Sequence, residues 1–265
     1  MLFIKTILVS LITTSVGFIK FVYFISLGYG FSVAGIGIFL LITQKNSKMS
    51  EKIYGLLYFL YGMRLALFLL YRDLKSPSYN EKMKEERKKI KEMKFGVKIM
   101  IWISCALLYS CQTSPLTFRF TSIKRDKKEY LLSYVGIIIA FFGFLMESRA
   151  DYEKNAAKKL NPNRFVDSGL YKFVRCPNYL GEILFWTGNF LGGIKIYNGL
   201  SQWIISLIGY ICIIFVMLGG TRTLEIRQNK SYGKDSEYQK YVKTTPILIP
   251  FIPLYSVEKY TWMKA

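Results

Sequence analysis

The chain has 265 residues, 52% of them hydrophobic and 17% aromatic, and carries a formal net charge of +20. Apolar content at this level, gathered into repeated long runs, excludes an ordinary soluble domain, and lysines and arginines scattered between the runs exclude a nucleic-acid-binding stripe. Histidine is absent, which removes His-ligated haem, histidine-rich di-iron centres, zincin sites and Ser-His-Asp triads; Cys105, Cys111, Cys176 and Cys212 form no CxxC pair, so neither a metal site nor a disulfide framework is expected.

The first apolar run covers residues 3–19. Its only cation is Lys5, and no small-residue cleavage site follows, so it reads as a retained membrane segment rather than a signal peptide. Further runs at 21–43, 53–71, 95–113, 130–147, 179–194 and 200–219 reach or approach the roughly 17–25 residues that cross a bilayer. The expected fold is an all-α membrane protein of about seven transmembrane helices, a single polytopic domain over residues 1–265. The first two runs meet at Ile19 and Lys20 and can be divided differently; the sixth is short and is expected to tilt or to be partly buried in protein. Gly28, Gly30 and Gly35 loosely echo a dinucleotide loop, but they lie inside an apolar run with no strand before it and read as helix packing. Residues 81–94 are dense in charge of both signs and read as an amphipathic helix at the headgroups.

Loop charge gives an orientation. With the C-terminal tail in the cytosol, the cytosolic segments 72–94, 148–178 and 220–265 hold 24 lysines and arginines, against 9 in the segments 44–52, 114–129 and 195–199 opposite. The positive-inside rule favours this arrangement, which faces every long polar segment of the second half to the cytosol.

Residues 147–189 carry the chemistry. Glu147, Arg149 and Asp151 close the fifth run, Lys158, Lys159 and Arg164 follow, and Arg175, Cys176 and Pro177 lead into Asn178, Tyr179, Gly181, Glu182, Trp186 and Asn189. Asn178, Glu182, Trp186 and Asn189 are spaced four, four and three, which puts them on one helix face. A carboxylate and two amides on one stripe of a membrane helix must point at protein or water. Pro177 suits the first position of a helix. Free N–H groups at that helix start, with Arg175 beside them, suit an anion, and Lys158, Lys159, Arg164, Arg222 and Arg227 can add positive charge for the phosphates of a nucleotide.

The segment GLYKFVRCPNYLGEILFWTG, residues 169–188, resembles the signature of the steroid 5-alpha-reductase superfamily, GLW-x-x-x-RHPNY-x-GE-x-x-x-W-x-G, and is most similar to its poorly assigned bacterial and plant branch. The resemblance extends to Leu224-Glu225, Tyr232-Gly233, Glu237-Tyr238, Tyr241 and Thr244-Thr245-Pro246-Ile247-Leu248-Ile249-Pro250. Upstream it takes in Gly62-Met63-Arg64-Leu65-Ala66 and Tyr71-Arg72, and so covers about residues 50–255. It implies a seven-helix oxidoreductase that uses NADPH to reduce a C=C bond conjugated to a carbonyl in a sterol, prenoid or other lipid. Its cofactor would lie in a cytosol-facing cavity of the C-terminal half, within residues 131–255, and the spans of residues 1–130 would face the lipid substrate. Carried over residue by residue, the cofactor-binding set is Asp151, Lys158, Asn178, Tyr179, Glu182, Trp186 and Arg222, to which the spacing adds Arg175. Steroid-acting members have a Tyr three residues before an Arg in the third span, where it polarises the substrate carbonyl; Tyr61 and Arg64 have that spacing and become the catalytic pair. The location implied is the endoplasmic reticulum in a eukaryote or the inner membrane in a bacterium, with membrane lipids and a lipid or sterol-like substrate as partners.

The chain departs from the pattern at Cys176, where the signature has histidine. A thiol is a poor partner for phosphate or ribose, so cofactor use can be altered. Two other readings remain open. Isoprenylcysteine methyltransferases, which bind S-adenosylmethionine, share an RHP-x-Y-x-G core but usually lack the Asn and the Gly-Glu with downstream Trp. A catalytically inactive membrane scaffold would keep the fold alone.

Overall fold

The computed structural model describes residues 1–44, 47–75, 93–122 and 127–263. Among these residues there is no strand. The helices are α1 (Leu2–Thr14), α2 (Leu27–Thr43), α3 (Met49–Lys75), α4 (Phe95–Gln112), α5 (Ser114–Thr121), α6 (Lys127–Leu160), α7 (Pro177–Gly193), α8 (Gly199–Tyr232) and α9 (Ser236–Thr244), with 3₁₀ turns at Ser15–Phe18, Phe21–Phe24 and Gly169–Lys172. The molecule is an all-α membrane protein. Among the described residues, five helical stretches are long and apolar enough to cross a bilayer: Phe21–Thr43, Met49–Lys75, Phe95–Gln112, Leu131–Leu160 and Gly199–Tyr232. The other two expected spans, Leu2–Phe18 and Pro177–Gly193, are each 17 residues long, about 25 Å against a hydrocarbon core of about 30 Å. The headgroup helix expected over 81–94 lies outside the described residues except for Met93 and Lys94.

The chain divides into two compact units. Unit 1 comprises Met1–Ile137 and Phe190–Tyr210, and unit 2 comprises Ile138–Asn189 and Ile211–Ala265.

In unit 1, α1 shows a membrane pattern, inverted relative to a soluble helix. Thr6, Ser10 and Thr14, four residues apart, are fully buried, while Ile4, Leu8 and Ile12 are exposed. The buried hydroxyls of Thr6 and Thr14 donate to the carbonyls of Phe3 and Ser10 in their own helix, so they enter the protein interior with their hydrogen bonds made. Small residues on the inner face let neighbours approach. Thr13 meets Ser32 of α2 at 2.8 Å, and Trp102 of α4 donates its indole N–H to the Leu11 carbonyl at 2.9 Å. Glycines bring α2 against α3: a Cβ on Gly30 would lie 2.8 Å from the Gly62 carbonyl oxygen, and one on Gly37 would lie 2.7 Å from that of Gly55. Both facing pairs run in opposite directions along the chain, so the two helices are antiparallel. Gly28 and Gly35 also sit against neighbouring groups, Tyr23 O and Thr13 Cγ2, as the packing reading of these glycines expected.

In unit 2, α6 and α7 make a corresponding contact at Gly143 and Gly181. A Cβ on Gly143 would lie 2.5 Å from the Gly181 oxygen, and one on Gly181 would lie 2.6 Å from the Glu147 nitrogen. Pro177 opens α7, where its missing N–H leaves no helical bond unmade. Gly169, at φ +61°, turns the chain into the 3₁₀ turn before it, a conformation that glycine adopts without strain. Asp235 caps α9, accepting from the backbone N–H groups of Glu237 and Tyr238, and Pro246 follows the helix end. The core of the unit gathers Val174, Cys176, Leu180, Leu224, Ile247 and Val257.

Candidate functional site

The site nominated from sequence begins where α6 and α7 touch. Gly181 has no side chain to hold the helices apart, so the backbone of Glu147 comes against it, and the next residue, Glu182, is 8% exposed. Glu147 is 3% exposed and Asp151, one turn further along α6, is 8% exposed. Because α6 and α7 run antiparallel here, Asp151 lies toward the start of α7, where Asn178 stands. The stripe expected on α7 is buried: Trp186 and Asn189 are each 2% exposed, and Asn178 is half-buried. Asn189 donates its side-chain N–H to the Phe185 carbonyl at 2.7 Å, while Asn178 Oδ1 and Asn189 Oδ1 are buried acceptors with no hydrogen bond. A buried acceptor left unmatched costs about 1–3 kcal/mol, so these two oxygens suit a guest that brings N–H or O–H groups. Tyr179 packs on the other side, its ring against Gly220 of α8.

Four of the expected cations, Arg175, Lys158, Arg164 and Arg222, have partners within the protein. Arg175 is buried at 2% exposure; its Nη1 pairs with Glu225 at 3.3 Å and donates to the Tyr255 carbonyl at 2.8 Å. The second oxygen of Glu225 accepts from the Val257 N–H at 2.8 Å. Sequence reasoning set Arg175 on an anionic guest; the structure gives it an internal carboxylate. Its backbone N–H and that of Cys176 donate to the Pro246 and Ile247 carbonyls, which ties the loop before α7 to the segment after α9. Lys158 donates to the carbonyls of Pro162 and Arg164 and to the Tyr232 hydroxyl. Arg164 pairs with Glu237 and Asp167, which raises its pKa. Arg222 donates Nε to the Glu258 carbonyl at 3.0 Å. The groups gathered at the α6–α7 crossing are therefore carboxylates, amides and aromatic rings.

Beside the crossing, Tyr171, Phe165, Tyr238 and Tyr241 form an aromatic wall. Phe165 stacks on Tyr241, and the Tyr241 hydroxyl donates to the Tyr171 carbonyl at 2.7 Å. Burial raises the pKa of all three tyrosines, that of Tyr238 to about 12, so they stay neutral at physiological pH.

The proposed catalytic pair belongs to unit 1. Tyr61 is fully buried on α3, on one face with Tyr54 and Tyr58, and Arg64 lies on the same helix with its guanidinium 5.7 Å from the Phe68 ring. Among the described residues no cluster of three Cys, Asp or Glu side chains is placed to hold a metal ion.

Sequence reasoning gave no role to Glu147 and Glu225. Each is a carboxylate inside or beside an apolar run, the signal that singles out Glu182, and each proves almost fully buried.

The sequence model of a family described as a protein of unknown function (DUF1295) matches residues 9–245. The chain belongs to this family. DUF1295 is tied to steroid 5-alpha-reductase-like proteins, in keeping with the motif of residues 169–188. A segment of 83 residues is 36% identical to a very-long-chain enoyl-CoA reductase of Dictyostelium discoideum; it makes up 31% of this DUF1295 chain and only 23% of that relative. No solved structure matches the chain.

Within this DUF1295 chain, Cys176 is a core residue. It is 1% exposed and packs with Val174, Leu180, Leu224 and Ile247. Burial pushes its thiol up to about 12, outweighing the lowering by Arg175 and Lys154. It is a neutral thiol at physiological pH, not an activated nucleophile.

Proposed function

We propose that this protein is a membrane reductase that transfers hydride from NADPH to a C=C bond conjugated to a carbonyl in a lipid, with the cofactor held at the α6–α7 crossing. The observation that carries the proposal is the buried polar stripe of α7, in which Asn178 Oδ1 and Asn189 Oδ1 await donors beside Glu182 and Trp186. Similarity of one segment to an enoyl-CoA reductase supports the reaction class. The carboxamide and ribose hydroxyls of a nicotinamide nucleotide are donors of the kind these oxygens lack. NADPH, when bound, would supply the hydride.

The chain's own groups would do the rest. Asn178 and Glu182 would accept from cofactor hydroxyl or amide groups, with Asp151 nearby on α6. Trp186 and Tyr179 would supply apolar walls that exclude water. Lys158 and Arg222 would meet the phosphates by giving up bonds to carbonyl oxygens. Arg175 would hold the loop that starts α7 in place. As negative charge develops on the substrate carbonyl oxygen, a phenol hydrogen-bonded there lowers the barrier, and this role is proposed for Tyr61, with Arg64 one turn on. An enoyl lipid is the substrate class favoured over a sterol or prenoid, on the strength of the one named relative.

Binding of labelled NADPH and of labelled S-adenosylmethionine to the purified protein in detergent tests the reading. NADPH binding that weakens in Glu182→Gln and Asn178→Ala, with no S-adenosylmethionine binding, is expected. The reverse preference points to a methyltransferase, and binding of neither points to a scaffold. Tyr61→Phe should leave NADPH binding intact and remove turnover of an enoyl lipid; full turnover by that variant would take the role away from Tyr61.

A further inference from the structure

Residues 255–263 run as a strap along α8, and its direction can be read from three contacts. The Val257 N–H donates to Glu225, the Glu258 carbonyl accepts from Arg222, and the Trp262 ring meets the Phe215 ring, with centroids 6.0 Å apart and planes at 79°. The strap is thus antiparallel to α8 and passes from residue 225 to residue 215 of the helix, about 15 Å at a rise of 1.5 Å per residue.

That path leads into the bilayer. Arg222 is the first charged residue of α8, counted from its start at Gly199. Phe215 lies about 10 Å before it along the axis, inside the apolar run. Phe215 is 50% exposed and Val216 is 45% exposed, as side chains facing lipid are. The strap is held at both ends: Val257 and Met263 turn inward to the core of unit 2, with Tyr260 packed against it, while Trp262 turns outward and is 58% exposed. Indole, with an apolar body and one N–H, concentrates at the layer between headgroups and acyl chains. Between the two ends Lys259 lies over the Tyr260 ring, 5.2 Å from its centroid, where its ammonium can meet lipid phosphate.

We propose that residues 255–263 form a lipid-binding strap, anchored by Trp262 in the headgroup layer of the protein's own membrane beside Phe215. The strap lies beyond residue 245, where the family match ends. Its carbonyls at Tyr255 and Glu258 hold Arg175 and Arg222, so the grip of lipid on Trp262 fixes two arginines of unit 2.

The test uses the full chain in nanodiscs of phosphatidylcholine and phosphatidylglycerol, with bromine placed either near the headgroup or near the chain end. The Trp262 contribution is the difference in emission between the natural protein and Trp262→Phe. It is expected to be blue-shifted, shielded from aqueous iodide, and quenched more strongly by the shallow bromine than by the deep one. Quenching by iodide with none from lipid, or stronger quenching by deep bromine, overturns the proposal. A second measurement does not depend on the Trp signal. Tryptic cleavage after Lys259 should be several-fold faster in Trp262→Ser than in the natural protein in nanodiscs, and nearly equal for the two in detergent. Equal cleavage in nanodiscs overturns the anchor.

Discussion

In unit 1, α2 and α3 meet at Gly30 and Gly62 and again at Gly37 and Gly55; in unit 2, α6 and α7 meet at Gly143 and Gly181. The device is the same. Water drives no hydrophobic association between helices in lipid, so close backbone approach through small residues supplies the packing energy. What stands beside the glycines differs. Ala34, Ala66 and Tyr58 flank the first crossing; Glu147 and Glu182 flank the second. A glycine crossing by itself is therefore only a way for membrane helices to pack. It becomes a candidate site where buried polar groups gather at it. A buried carboxylate lowers stability unless partners satisfy it, so the second crossing makes polar demands on its neighbours that the first does not.

The largest expected effect comes from the charge that unit 2 buries. Arg175→Ala would leave Glu225 almost fully buried without its partner and would free the Tyr255 carbonyl. Removal of one partner from such a pair costs about 3–5 kcal/mol, and replacement of both by apolar residues is often close to neutral. Arg175→Ala should therefore lower the unfolding midpoint in detergent sharply, and the double variant Arg175→Met/Glu225→Leu should recover most of it. If the double variant is as unstable as the single one, the pair is not what holds the loop before α7.

Next come the glycines themselves. A Cβ on Gly143 collides with the Gly181 oxygen, and one on Gly62 would lie 2.5 Å from the Ala34 nitrogen. These are backbone atoms that no rotamer change moves away, so the helices must part. Gly143→Ala and Gly62→Ala should each cost about 1–3 kcal/mol through overpacking. Only Gly143→Ala should also weaken NADPH binding, because it alone displaces Glu147 and Glu182. Equal loss of binding in both variants, measured at matched folded fraction, would erase the distinction between the two crossings.

The same contrast shows what the sequence carried. Run lengths along the chain gave the membrane class and five of its spans, because hydrocarbon thickness imposes a length on any crossing helix. The stripe of Asn178, Glu182, Trp186 and Asn189 was legible because a helical face follows directly from spacing. The partner of Arg175 was not: Glu225 is 50 residues away on α8, and local spacing cannot reveal an ion pair made across the fold. A cation before a helix start looks the same whether it serves an anion or a buried carboxylate. The first expected span, 3–19, agrees with Leu2–Phe18 in extent but is not one continuous α-helix. Its α-helix stops at Thr14 and continues as a 3₁₀ turn, where Gly17 lies against the Phe24 ring. Apolarity along 3–19 records nothing of that packing.

A smaller effect separates binding from folding within the site. Asn178→Ala removes a buried acceptor that has no hydrogen bond in the protein, so the unfolding midpoint should shift little while NADPH affinity falls. A hydrogen bond of this kind contributes about 0.5–1.5 kcal/mol, or a change of roughly two- to twelvefold in the dissociation constant. A large loss of stability without any change in affinity would mean that the amide supports the fold alone.

The smallest effect is expected at Cys176, which marks where the polar character of unit 2 ends. Its thiol is pushed up to about 12 by burial among Val174, Leu180, Leu224 and Ile247, whereas an unfolded cysteine ionises near about 8.5. Below the unfolded value the thiol is protonated in both states, and its burial contributes fully to stability. As pH rises from there toward 12, the unfolded state releases a proton that the folded state retains, so the contribution is progressively lost. The unfolding midpoint should therefore owe nothing to Cys176 ionisation between pH 6 and about 8, and should fall more steeply above about pH 9 in the natural protein than in Cys176→Ala. Maleimide at neutral pH should modify Cys176 far more slowly in the folded protein than after denaturation, as followed by mass spectrometry. If folded and denatured protein label at the same rate, the residue opens to solvent. The position that carries histidine in the reductase signature would then belong to the site after all, and unit 2 would present a polar surface reaching from Glu182 to the loop before α7.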